Sequence, residues 1–93
     1  MEIIWDETKN KKLQQERGIS FEEIAVLILQ KKYIEIVRHP QRPQQRIFLI
    51  PMRGYVYAVP FVIDDKKNLV LKTAFPSRKF TRLYGGADNE NKT

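Results

Sequence analysis

Apolar residues before position 32 are sparse or helically clustered, and after it they fall in short β-prone runs broken by Pro, Gly and Asp. Met1 to Trp5 is apolar and β-prone, and Asp6 is placed to cap a helix from Glu7 to about Arg17. That helix is polar on nearly every side, with Leu13 as its main interior apolar residue, which predicts a surface position. Gly18 suits the left-handed stop of a helix. Ser20-Phe21-Glu22-Glu23 then has the spacing of a capping box, in which the Ser20 hydroxyl accepts from the Glu23 backbone and the Glu23 carboxylate reaches back. The helix that follows, Phe21 to about Lys31, carries Phe21, Ile24, Leu27 and Ile28 on a wide apolar face. It is the predicted core helix.

Tyr33 to Val37 reads as a strand, followed by a polar loop, Arg38 to Gln45, with two prolines. Arg46 to Pro51 is a second strand, Met52-Arg53-Gly54 a turn, and Tyr55 to Ile63 a long third strand. Pro60 cannot donate to a ladder and so marks an edge or a bulge. Asp64 to Asn68 is a hairpin turn and Leu69 to Phe75 a fourth strand. Pro76 or Ser77 can start a short helix through Arg82 to Tyr84, and residues 85–93 read as a flexible polar tail. The order predicts one α+β domain over residues 1–84: two N-terminal helices packed on a four-stranded antiparallel sheet, with a short C-terminal helix.

Charge adds a direction to this picture. The net charge of +6 is unevenly spread: residues 1–30 carry a balance of −2, residues 31–84 a balance of +9, and residues 85–93 a balance of −1. Such concentration suits a polyanionic partner, nucleic acid or an acidic protein. The chain has no cysteine and one histidine, which excludes disulfides, thiolate catalysis and multi-His metal sites, and points to a reducing cytoplasm. Its longest apolar run, Ile24 to Leu29, has six residues, far short of a membrane span, and the N-terminus lacks a signal-peptide pattern.

The basic half also supplies chemistry. Arg46 alternates onto one face with Phe48 and Ile50, and Lys72 falls within the fourth strand. Arg78 and Arg82, four apart on the terminal helix, share a face with phosphate-gripping geometry. Tyr33, Tyr55, Tyr57 and Tyr84 offer rings for unpaired bases. His39 is the one side chain that titrates near neutrality unaided, but it lies in a Pro-flanked loop where a solvated histidine is the usual outcome. No Gly-rich phosphate loop, nucleophile elbow or metal-ligand spacing is present.

The residues resemble one known family. Trp5-Asp6, Lys9 and Gly18-Ile19-Ser20-Phe21-Glu22-Glu23 match in spacing the opening motif of the BrnT-type toxins of bacterial type II toxin–antitoxin modules. Ser77-Arg78-Lys79, Arg82 and Tyr84 are similar to the basic helix that ends that family's chain. Leu13 and Arg17 stand where the family often has Asn and His. The resemblance implies a RelE-like α+β fold, a ribonuclease that inhibits growth, no metal or other cofactor, and neutralisation by a ribbon-helix-helix antitoxin. The expected catalytic residues are Arg46, Lys72, Arg78, Arg82 and Tyr84, with Lys9, Arg53 and Lys79 as RNA-binding residues. The alternative is a non-catalytic basic module that binds nucleic acid or an antitoxin with the same face, and a third reading is an unrelated basic structural protein.

Overall fold

The computed structural model describes residues 1–85. Its chain order is β1 (Ile3–Ile4), α1 (Glu7–Arg17), α2 (Phe21–Leu29), β2 (Glu35–Arg38), β3 (Arg46–Met52), β4 (Tyr55–Ile63), β5 (Leu69–Leu71), β6 (Phe75–Pro76) and α3 (Arg78–Phe80), ending in a π-helix over Thr81–Gly85. The strands form one sheet in the order β1-β5-β4-β3-β2, with β6 also on β4. Every pairing is antiparallel except β1 with β5, where Ile3 aligns with Leu69 and Ile4 with Val70. The α+β plan holds, but the sheet has six strands and not four. The N-terminal apolar segment joins the sheet, and the expected fourth strand is two pieces.

Pro60 explains that split. It sits in the middle of the central strand β4, buried and paired with Ile47, and not at a sheet edge. Its carbonyl accepts from Lys72 N at 2.8 Å, so its missing N–H lies on the side of β5 and β6. The partner chain leaves the ladder there, ending at Leu71 and returning at Phe75. Lys72 therefore lies in the break and not within a strand.

The helix boundaries follow local chemistry. The Asp6 carboxylate accepts from Lys9 N at 3.1 Å, and Gly18 stops α1 at φ 68°. Ser20 Oγ accepts from Glu23 N at 3.1 Å, half of the expected box. The Glu23 carboxylate does not reach back: it meets Arg53 Nη1 at 2.8 Å. α2 stops at Leu29, two residues early, because Lys31 adopts left-handed φ 57° and Lys32 N donates to Leu27 O at 2.8 Å. The β3–β4 turn is the two-residue Arg53-Gly54, both with positive φ (50° and 81°), the arrangement whose twist suits a hairpin.

Both faces of the sheet are covered. The helix side buries Phe21, Ile24 and Ile28 against Phe48, Ile50, Tyr57, Val59 and Phe61, with Leu27 only partly buried. The other side carries a smaller cluster, Ile47, Leu49, Val56 and Ala58, under Phe80 and Tyr84. One polar side chain is fully buried among the described residues, Asn10. Its Oδ1 accepts from Phe21 N at 2.7 Å, and its Nδ2 donates to Glu7 at 2.9 Å and Glu22 at 2.8 Å, tying α1 to the start of α2. The Asn10 amide first, and then the Glu22 backbone N–H, hold the Glu22 carboxyl below its ordinary pKa.

Candidate nucleic-acid interface

The C-terminal helix is capped and then anchored to β4. Ser77 Oγ caps α3 by accepting from Phe80 N at 3.2 Å, Ser77 N donates to Val56 O at 2.9 Å, and Thr81 Oγ1 accepts from Val56 N at 2.8 Å. Phe80 and Tyr84, four residues apart, stack at 6.2 Å between centroids and face the smaller core. Arg78 and Arg82 come two positions before each ring, so they take the opposite side of the helix and are exposed. Lys79 holds its ammonium 5.3 Å from the Phe80 ring centre. The last turn is π-helical, a rare geometry that recurs at functional sites.

Tyr84 hydroxyl donates to Glu35 Oε1 at 2.9 Å across to β2. That bond, with partial burial and the carboxylate charge, raises the Tyr84 pKa above 10.0, so the phenol is a retained proton donor at neutral pH. Tyr84 also borders a cleft of about 460 Å³, together with Arg53 and Tyr55. A cleft of that size with two phenol rings and a guanidinium at its edge can seat a base or nucleotide.

The expected site residues fall into three places. Tyr84 and Arg53 line the cleft just described, with Arg78, Lys79 and Arg82 on the helix that supplies Tyr84. Lys9 and Lys72 meet at a second cleft of about 520 Å³, where Lys9 Nζ donates to Lys72 O at 3.4 Å and Lys12 and Arg17 add charge beside Glu16. Arg46 lines a third, on the helix side and thus across the sheet from Tyr84. His39 serves the backbone of its own loop, because its Nδ1 accepts from Gln41 N at 3.1 Å and Arg42 N at 3.2 Å. Glu35 was missed by sequence reasoning, although it is the one acid between Lys31 and Ile63.

The structure matches the 1.1 Å crystal structure of the Brucella abortus ribonuclease toxin BrnT, with a TM-score of 0.62 and 19% identity, over 83% of this chain and 96% of that one. This chain has the BrnT-type toxin fold. At 19% identity the likeness is one of fold. No protein-family model matches the sequence, and no curated protein matches it. Within this BrnT-type fold, no group of three or more His, Cys, Asp or Glu among the described residues could hold a metal. No described helix is long and apolar enough to cross a membrane.

Proposed function

We propose that the protein is the toxin of a type II toxin–antitoxin pair, a metal-independent endoribonuclease that acts on cytoplasmic RNA and is held in check by a ribbon-helix-helix antitoxin. The observation that carries this is the match of the fold to nearly the whole of a ribonuclease toxin. The +9 balance of residues 31–84 supports an RNA substrate.

Cleavage without a metal requires attack by the ribose 2′-oxygen on the adjacent phosphorus. The P–O2′ bond forms, the P–O5′ bond breaks, and the proton lost by the 2′-hydroxyl is balanced by one delivered to the departing 5′-oxygen. In this reading Arg78 and Arg82 neutralise the charge that builds on the phosphoryl oxygens, the service that usually contributes most. Tyr84, protonated at neutral pH, delivers the proton by exchanging its bond to Glu35 for one to the departing oxygen, and Glu35 is a positioning residue that holds the hydroxyl until that exchange. Arg53 and Lys79 hold flanking phosphates. Lys9 and Lys72 hold the RNA backbone at their own cleft. Arg46, across the sheet, stays outside the reacting group in this scheme, which is narrower than the sequence expectation.

The test is cleavage of a labelled RNA by the purified protein, with and without EDTA, alongside growth after induction. Cleavage that survives EDTA, with growth arrest, is expected. Arg78→Ala and Arg82→Ala should each lower the rate about 10²–10³-fold in a folded protein. Absence of cleavage at any enzyme level, with Arg78→Ala reducing RNA affinity alone, would establish the binding-module reading instead.

A further inference from the structure

We infer that the substrate is an unpaired RNA strand laid from the Lys9–Lys72 cleft to the Tyr84 cleft, with a base stacked on Phe75 between them; this rests on the ribonuclease reading above. The first cleft gathers four cations, Lys9, Lys12, Arg17 and Lys72, against one acid, Glu16. Phe75 lines the same cleft, and it is left 39% exposed. A ring held in solvent among cations has a free flat face for another ring, and the charges around it attract the phosphates that such a ring would carry with it.

The break in the sheet joins this cleft to the next. Lys72 N donates to Pro60 O at 2.8 Å and Ser77 N donates to Val56 O at 2.9 Å, so the segment between them runs along β4 from Pro60 to Val56. At about 3.3 Å per residue that is roughly 13 Å, the length of about four stacked nucleotides. Phe75 lies opposite Ala58, and opposed residues of an antiparallel pair share a face. Ala58 belongs to the cluster under Phe80 and Tyr84, which puts Phe75 on the face of the sheet that carries α3. Arg78, exposed, begins that helix, and Tyr55 and Val56 line the cleft at Tyr84. Cations, a ring and further cations thus follow one another along a single path, the pattern that holds single strands by phosphate charge and base stacking. A duplex hides its base faces and gives Phe75 nothing to stack on. Stacking reads no hydrogen-bonding edge, so this platform accepts any unpaired base.

Single-stranded DNA is the probe, because without a 2′-hydroxyl it is bound and not cleaved. Labelled oligothymidylates of about two and about eight nucleotides are compared by fluorescence anisotropy with a duplex hairpin of about eight base pairs. The longer strand should bind at least about tenfold more tightly than the shorter one, and more tightly than the duplex. Phe75→Ala should weaken the longer strand about tenfold, the loss of one stacked base, with circular dichroism unchanged. Lys12→Ala, at an exposed position of α1, should lower the salt dependence by about one phosphate contact. Lys66→Ala, exposed in the 64–68 turn outside both clefts, should leave affinity unaltered. Equal binding of the two lengths, a duplex bound as tightly as the long strand, full affinity in Phe75→Ala, or an equal loss with Lys66→Ala would overturn the assignment. RNA cleavage measured on the same preparation separates the two readings. Cleavage without preference for the longer strand removes the track alone, whereas length-dependent binding that needs Phe75, without cleavage of RNA, keeps the track and removes the nuclease.

Discussion

Asn10→Ala is the sharpest test of how the two N-terminal helices are joined. The wild-type amide makes three hydrogen bonds at zero exposure, at 2.7, 2.8 and 2.9 Å. Truncation leaves Phe21 N–H, on a residue that is itself fully buried, without an acceptor, at a cost of about 1–3 kcal/mol. Glu7 and Glu22 are exposed and turn to water, so losing those two bonds adds less. The sum is about 3 kcal/mol, which for a domain of this size lowers Tm by about 12–24 °C. Urea denaturation followed by circular dichroism should show a lower midpoint with an unchanged slope. The same bond makes stability depend on acid. Because the folded Glu22 pKa is depressed below 4.5, its contribution is present above that value and lost as pH falls through the folded pKa. Asn10→Ala should flatten that acid limb. A loss below about 0.5 kcal/mol, the range of surface substitutions, would refute the reasoning.

Three further outcomes are expected. Glu35→Gln should move the Tyr84 phenol back toward 10.0 in a spectrophotometric titration, and Tyr84→Phe should remove the high-pH tyrosine step; no change in either would break the Glu35–Tyr84 link. Thr81→Val leaves Val56 N–H without its 2.8 Å acceptor and should cost about 1–3 kcal/mol, with hydrogen exchange faster at Val56; unchanged exchange there would show that the helix is held otherwise. His39→Ala should keep most RNA cleavage, since Nδ1 is spent on the loop backbone, and a folded but inactive variant would show that His39 takes part in the chemistry.

Much of the fold was legible because its signals are local. Asp6, Gly18 and Ser20 act within one turn of themselves, and the caps they predict are the caps observed. Apart from the early stop of α2, set locally at Lys31, the errors are non-local. The return half of the capping box failed because Glu23 had a better partner thirty residues away, Arg53. The divided fourth strand required knowing which side of β4 the Pro60 nitrogen faces. Leu27 reads as part of a broad buried face, and only the extent of the sheet beneath α2 decides that it is half-covered. At the candidate site the same division holds. The i, i+4 pair Arg78 and Arg82 is visible from spacing, whereas Glu35 reaches Tyr84 across forty-nine positions.

The parallel pairing of β1 with β5 has a consequence for synthesis. Ile3 cannot enter the sheet until Leu69 exists, and Leu69 N donates to Glu2 O at 2.8 Å while Glu2 N donates to Asn68 Oδ1 across sixty-six residues. Closing a loop that long costs on the order of 4 kcal/mol in chain entropy before the bonds form. Such distant contacts slow folding and make it cooperative. On the ribosome, therefore, α1 and α2 can form early, but the sheet edge stays open until the chain beyond residue 71 has emerged. The terminal helix that carries Arg78, Arg82 and Tyr84 comes later still, so a growing chain holds neither a closed sheet nor its cationic arm. On this account the cationic arm is added to a sheet that has already begun to close.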